Sequence, residues 1–137
     1  MPKAGVWRVT DYIHAEGQTA SESFEQQALF RWAAFAAGKH PELRLLYHIP
    51  NEGKRSASQG ARMRAEGLRA GVPDICLPVP RGGYSALYIE LKAGRNKPTD
   101  DQLAWLAALD EAGNKTAVCW GWQAARNAVV KYLEGKT

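Results

Sequence analysis

Apolar positions along this chain change their spacing from segment to segment, and the changes predict an alternation of helices and strands. Two S/T-x-x-E/Q patterns, which begin at Thr19 and Ser23, precede a stretch rich in helix formers and predict a helix up to Gly38. Residues 43–49 have the apolar run of a strand, which a proline ends. Residues 56–69 are expected to be wholly or partly helical, because two glycines weaken the helical pattern.

The second half of the chain has a clearer pattern. Its predicted elements are strands at 73–80 and 85–92, a helix from Thr99 to Gly113, a strand at 115–120 and a helix at 123–133. The turn Arg-Gly-Gly-Tyr at 81–84 joins the first two strands as a hairpin, and Thr99 with Gln102 forms a capping box. This order predicts one α/β domain, residues 21–137, after an extension, residues 1–20, in which residues 6–9 are candidates for a further strand or an oligomer contact.

Length and composition narrow the class of protein. The chain has 137 residues, of which 45% are hydrophobic, so a folded domain with a core is expected. No apolar stretch approaches the roughly 20 residues of a membrane span, and no signal-peptide pattern opens the sequence, so we expect a cytoplasmic protein. Cys76 and Cys119 lie in apolar runs without zinc-ligand spacing, which favours buried thiols over a disulfide or a zinc site.

Positive charge is concentrated in the middle of the chain. The formal net charge is +4, and residues 39–72 alone carry an excess of that size. A polyanion is one partner that such a segment fits, and a solvated, Arg-rich helix face is the simpler alternative. His48 lies near the end of the strand predicted at 43–49. It is interpreted either as a buried strand histidine or as a phosphate contact.

The strand at 85–92 carries the most specific chemistry. Side chains alternate along a strand, so Glu90 and Lys92 share one face, and Asp74 on the preceding strand comes beside Glu90 if the two strands pair. Adjacent carboxylates repel unless a cation lies between them. Mg²⁺ prefers oxygen ligands, here both carboxylates and the Leu91 backbone carbonyl, and Lys92 would orient or activate a water and stabilise charge on a phosphate.

A simpler interpretation is an exposed Glu90–Lys92 ion pair, with Asp74 as a turn residue after a proline. For an isolated E-x-K this interpretation is the better one. The preceding Pro-Asp, the hairpin-length separation from Asp74 to Glu90 and the basic flank together favour the metal site.

The ordered set Gly71-Val-Pro-Asp74, Tyr88-Ile-Glu90-Leu-Lys92 and Gln102 resembles the VRR-NUC family of the PD-(D/E)xK nuclease superfamily, over roughly residues 22–133. The resemblance implies a restriction-endonuclease-like α/β fold, a central mixed sheet flanked by helices. It also implies metal-dependent cleavage of DNA phosphodiesters. Members that consist of this domain alone are phage and bacterial proteins that act as dimers on branched DNA such as four-way junctions.

The same resemblance implies a role for each matching residue. Asp74 and Glu90 would be metal ligands and Lys92 the catalytic lysine. Glu25 would be the acidic residue of the first helix and would support the metal directly or through water, although Glu22 lies one turn away on nearly the same face. Gln102 would close the site from the following helix in addition to its capping role.

Eight polar and basic residues flank these motifs and are expected to bind the nucleic-acid backbone: Asn51, Lys54, Arg55, Arg62, Arg64, Arg69, Arg95 and Lys97. The expected cofactor is Mg²⁺, with Mn²⁺ able to substitute, and no nucleotide cofactor is expected. The expected partners are DNA and a second copy of the chain. The alternative function is a nucleic-acid-binding module that keeps the nuclease fold without cutting.

Overall fold

The computed structural model describes residues 10–14, 20–50 and 56–136. Its elements are, in chain order, β1 Asp11–His14, α1 Glu22–Ala36, a short 3₁₀ helix Pro41–Leu45, β2 Tyr47–His48, α2 Ala57–Ala65, β3 Ile75–Leu77, β4 Leu87–Lys92, α3 Asp100–Glu111, β5 Lys115–Trp120 and α4 Trp122–Leu133. No helix in these ranges is long and apolar enough to cross a lipid bilayer.

The five strands form one mixed sheet in the order β1-β5-β4-β3-β2. The β5 strand pairs in parallel with β1 and β4, whereas β3 pairs antiparallel with β4 and β2. The crossover from β4 to β5 runs through α3, as a parallel pair requires. The predicted α/β fold with a hairpin at residues 73–92 is therefore confirmed.

The two faces of the sheet carry different side chains. Leu87, Ile89 and Leu91 belong to the main core, which packs under α1 and α4. The opposite face is covered in part by α3, where Leu106 packs on Val118 and Trp120. Because Val118 pairs with Glu90, that face also carries Glu90 and Lys92, as the alternation predicts.

The predicted strand at 43–49 is wrong over most of its length. Pro41 opens a 3₁₀ helix, and the buried residues Leu43, within the helix, and Leu46, its C-cap, are three positions apart, which is the period of that helix rather than of a strand. Only Tyr47 and His48 pair with β3. Of the two interpretations of His48, that of a buried strand histidine is wrong, since the residue is exposed.

The start of α1 differs from the predicted one, whereas the predicted start of α3 is confirmed. The N-cap of α1 is Ser21, whose hydroxyl accepts from the amide of Phe24, so the cap is not Ser23, and Thr19 lies outside the described residues. The capping box at Thr99 and Gln102 is present at the start of α3.

At the N-terminal end, the strand proposed at residues 6–9 lies outside the described residues. The structure instead has β1 at the sheet edge, where the Asp11 carboxylate pairs with Lys115 Nζ at 3.0 Å. Both cysteines are buried free thiols, as predicted.

Candidate active site

Asp74 and Glu90 are brought together by the hairpin register. Ile75 pairs with Ile89 across β3 and β4, so the next positions outward, Asp74 and Glu90, face each other on the same side of the sheet. The amide of Leu91 donates to Asp74 Oδ2 at 2.9 Å. The Asp74 backbone carbonyl accepts from the amide of Ile49 at 2.6 Å, so both strands that flank Asp74 hold it in place.

The Leu91 backbone carbonyl faces the segment that carries Asp74. In a strand, the N–H and C=O of one residue point to the same neighbour, and the Leu91 N–H points towards Asp74. Continuing the register puts Pro73 opposite Leu91. Since proline has no N–H, it cannot occupy that carbonyl, and a ladder hydrogen bond is missing where a cation would bind.

Glu90 is a buried carboxyl with a strongly raised pKa. The residue is only 1% exposed. Burial raises the pKa of Glu90 to about 9, and the negative charge of Asp74 and a hydrogen bond with it raise the pKa further than the nearby Lys92 lowers it. Lys92 Nζ lies 3.6 Å from Glu90 Oε2, and its side chain is 8% exposed.

These features fit a divalent cation. Among the described residues, no donor lies within hydrogen-bond distance of Glu90 Oε1, although the atom is fully buried. No three His, Cys, Asp or Glu side chains in residues 10–14, 20–50 and 56–136 form a ready-made metal cluster. Two carboxylates and one carbonyl suit Mg²⁺, which keeps several waters and uses few protein ligands.

The start of α3 packs close to the segment that leads to Asp74. Gly71 has a φ of +88°, and a Cβ at this position would lie 2.6 Å from the carbonyl carbon of Asp101. Glycine is therefore required here by both conformation and space. This contact brings the first turn of α3 against the Gly-Val-Pro-Asp motif. In that turn, Gln102 Oε1 accepts from the amide of Thr99 at 2.9 Å, so its capping role is confirmed and its role at the site stays a prediction.

The two acidic residues of α1 have different surroundings. Glu25 is 1% exposed, and its Oε1 accepts from the amide of Trp122 at 2.9 Å. It thus caps the start of α4, where Gly121 has no side chain to do so. Glu22 is half-buried, and its negative charge contributes to raising the pKa of Glu90. A direct role of Glu25 at the metal stays a prediction.

The predicted backbone contacts fall into three groups. Arg95 and Lys97 are exposed in the loop that follows Lys92, and Arg69 is exposed in the segment that leads to Asp74. Arg62 and Arg64 are exposed on α2, away from the carboxylate pair in sequence. The remaining three predicted contacts, Asn51, Lys54 and Arg55, lie outside the described residues.

Sequence reasoning did not single out Asn96. Its side-chain amide donates to Glu22 Oε2 at 2.9 Å, and its backbone carbonyl accepts from Trp120 Nε1 at 2.7 Å. The Trp120 ring in turn stacks on His14 with centroids 4.2 Å apart. These partners are distant in sequence, and the only local signal was a polar loop residue soon after the E-x-K strand.

Comparison with known proteins agrees with this geometry. Residues 14–123 match the model of the VRR-NUC domain family, which is well over half of the chain. The chain belongs to the VRR-NUC family. The VRR-NUC domain is a nuclease-type domain, and the Pro-Asp and E-x-K motifs that carry the candidate site lie inside the matched range.

A solved structure described as a VRR_NUC domain protein is similar to this chain, with a TM-score of 0.69 at 24% sequence identity. The match covers 86% of this chain and 92% of the other. At that identity the likeness shows a shared fold, which confirms the restriction-endonuclease-like architecture expected for a VRR-NUC domain. Comparison with the curated proteins found no match.

Proposed function

We propose that this VRR-NUC protein is a Mg²⁺-dependent endonuclease that hydrolyses phosphodiester bonds in branched DNA and acts as a homodimer. The observation that carries the proposal is the Glu90 carboxyl, which is buried beside a second carboxyl with no donor on Oε1. Such an arrangement is costly for folding and is typical of a functional site. A divalent cation between Asp74 and Glu90 removes the repulsion and supplies the missing partner.

Asp74, Glu90 and the Leu91 carbonyl would hold the metal. When bound, Mg²⁺ supplies Lewis acidity and lowers the pKa of a coordinated water. Mn²⁺ shares the preference for oxygen ligands and is expected to substitute for it.

Lys92 forms an ion pair with Glu90. Its ammonium is held in a nearly buried position 3.6 Å from Glu90 Oε2, where few waters screen its charge. In this position it orients the attacking water and stabilises the negative charge that develops on the phosphate. Gln102, on the helix turn that packs against Gly71, closes the same side of the site.

Arg95 and Lys97 place two exposed positive charges directly after the catalytic strand, where they bind phosphates that flank the scissile bond. Contacts to the backbone read no base sequence. Selectivity for a four-way junction therefore has to come from the spacing of two active sites, one in each protomer of a dimer.

Surface apolar residues support self-association. Within residues 10–14, 20–50 and 56–136, six large apolar side chains are more than one-third exposed: Tyr12, Phe24, Phe35, Leu45, Tyr47 and Leu103. Phe35 is the most exposed of them, at 88%. Light scattering should give the mass of a dimer, and a fully active monomer would reject this part of the proposal.

The activity is tested by incubating the protein with labelled four-way junction, flap, nicked, single-stranded and linear duplex DNA in Mg²⁺, Mn²⁺ or EDTA. We expect metal-dependent cutting that prefers the junction. Glu90→Gln should abolish cutting, and Lys92→Met should slow it about 100-fold or more while DNA binding is kept. Glu134→Gln, which changes an exposed carboxylate near the C-terminus, is the matched control and should cut normally. DNA binding without cutting in either metal would instead favour the non-catalytic module.

The phosphate contacts are tested by the salt dependence of binding. Removing both charges with Arg95→Ala and Lys97→Ala should reduce the slope of log K against log salt by about 2, since each contact contributes roughly 0.9. Lys131→Ala, on the exposed side of α4, is the control and should leave the slope unchanged.

A further inference from the structure

Three parallel strands place aromatic side chains beside the candidate lysine. Lys92 ends β4, Trp120 ends β5 and His14 ends β1, and the register pairs each of them with the next. Their side chains therefore share one face of the sheet, with two strand spacings, about 10 Å, between His14 and Lys92. One row below, the register relates Tyr12 to Glu90 in the same way. The aromatic rings of β1 and β5 thus lie on the face that carries the candidate active site.

These aromatic rings lie close to one another. The His14 imidazole stacks on the Trp120 indole, with centroids 4.2 Å apart and an angle of 13° between the planes. The Tyr12 ring lies tilted beside the same indole at 6.4 Å. The indole is a fixed support, since Trp120 is buried and packs on Leu106 of α3. His14 and Tyr12 are exposed, and because only one face of the imidazole rests on the indole, its other face can take a further ring.

The loop that follows Lys92 is fixed to the edge of the same indole. Trp120 Nε1 donates to the backbone carbonyl of Asn96 at 2.7 Å. The two neighbours of Asn96 in sequence are Arg95 and Lys97, and both are exposed. Positive charge therefore lies in a loop that is held against the aromatic rings. Proteins that bind single-stranded nucleic acid combine the same two features, with phosphates on the cations and bases on the rings.

Base pairing decides which DNA such a surface can hold. In a duplex each base is stacked between its neighbours, so only a base that has left the stack presents a face to a protein ring. Branch points, flaps and single strands supply such bases, whereas intact duplex does not.

We propose that Tyr12 and His14, supported by Trp120, form a stacking platform for an unpaired nucleobase of the strand whose phosphate lies at Glu90 and Lys92. This inference rests on the proposed function, since it needs a DNA strand on the face of the sheet that carries the carboxylates. It adds a source of selectivity for branched DNA that a single protomer provides, besides the spacing of two active sites in a dimer.

The test is DNA binding in EDTA, measured by fluorescence anisotropy, so that no DNA is cut. The probe is a duplex with an oligothymidine arm, and its matched control is the same duplex with abasic sites in that arm, which keeps every phosphate. Wild-type protein should bind the thymidine arm about 10-fold more tightly than the abasic arm. Tyr12→Leu and His14→Leu should each reduce this preference, and the double variant should bind the two arms within about twofold of each other. Leucine keeps the indole covered and removes only the aromatic ring.

Further variants distinguish stacking from a general effect on the protein. Tyr12→Phe retains the ring and should retain the preference for the thymidine arm. His40→Ala removes an imidazole that precedes the 3₁₀ helix and makes no capping hydrogen bond, so it is the matched control and should also retain the preference. Every variant should bind the abasic arm within about twofold of wild type, because the phosphate contacts are unchanged.

Equal affinity of wild-type protein for the two arms would overturn the inference, as would a full preference in the double variant. If wild-type protein cuts branched DNA in Mg²⁺ but shows no preference for the thymidine arm, only this inference fails. If the preference depends on the two rings but no DNA is cut in either metal, the platform stands and the proposed hydrolysis fails. If the protein binds neither arm and cuts nothing, both fail together.

Discussion

Replacing Glu90 with glutamine should make the metal-free protein more stable at alkaline pH, although it destroys the proposed active site. In the folded protein the pKa of Glu90 is raised to about 9 from an ordinary value of 4.5. Between these two values the folded state binds a proton that the unfolded state has released. The stability of the metal-free protein therefore falls as pH rises from about 4.5 to 9.

The size of the effect follows from the same two values. Each pH unit within this window costs about 1.4 kcal/mol, so the step from pH 5 to pH 8 costs roughly 4 kcal/mol. For a domain of this length that corresponds to a fall in Tm on the order of 10 °C. Glutamine has nearly the shape of the protonated acid, and its amide is able to donate to Asp74 as the acid does, so this pH-dependent loss should vanish.

The assay is thermal unfolding of wild type and Glu90→Gln in EDTA at pH values from 5 to 9. The two proteins should unfold at similar temperatures at pH 5, and the variant should unfold on the order of 10 °C higher at pH 8. Taking the difference in Tm between wild type and Glu90→Gln at each pH cancels the titration of other groups. Glu134→Gln controls for the loss of any carboxylate. Adding Mg²⁺ at pH 8 should stabilise wild type alone, by about 2.7 kcal/mol at 100 times the Kd. A difference in Tm that does not change between pH 5 and pH 8 would refute the reasoning.

Three further outcomes test the structure around the site. Glu25→Gln should lower the free energy of unfolding by about 1 kcal/mol, seen in urea denaturation, because a neutral amide binds the start of α4 less well than a carboxylate does. Gly71→Ala should lower the free energy of unfolding by at least about 2 kcal/mol more than Gly83→Ala does in the same assay. Both glycines have a φ of +88°, but only Gly71 has backbone atoms within 3 Å of the added methyl group. Equal losses in the two variants would contradict the close packing of Gly71 on α3. Cys119 should stay unlabelled by iodoacetamide in native protein at pH 8 and react fully in denaturant, because burial raises the pKa of its thiol; rapid native labelling would show that the core opens there.

The core of the candidate site was predictable because its geometry is local. A hairpin brings together residues that lie within about twenty positions of one another, and alternation along the strand decides which of them share a face. Asp74, Glu90 and Lys92 follow from these two rules, and so does the Leu91 carbonyl. The prediction of a strand at 43–49 was wrong, because an apolar run with a three-residue period resembles a strand unless the period is counted.

The surroundings of the two acidic residues on α1 were not predictable in this way. Glu22 and Glu25 lie one turn apart on nearly the same helix face. Either acid therefore fits the position that the family resemblance gives to the acidic residue of the first helix. The choice between them depends on how α1 is rotated against its neighbours, which is set by contacts such as that of Glu25 with the amide of Trp122, 97 residues along the chain. The contact between Glu22 and Asn96 spans 74 residues and leaves no local pattern.

The sequence by itself determined the order of helices and strands, the hairpin and the side chains that line one face of it, since these depend on neighbouring residues and on the fixed periods of helix and strand. Tertiary structure alone decided that β1 joins the sheet beside β5, that Glu90 is buried without a donor on Oε1 among the described residues, and that Asn96 hydrogen-bonds to Glu22. Burial and long-range hydrogen bonds arise only when distant segments pack, and the electrostatics of a carboxylate depend on that packing more than on its place in the chain.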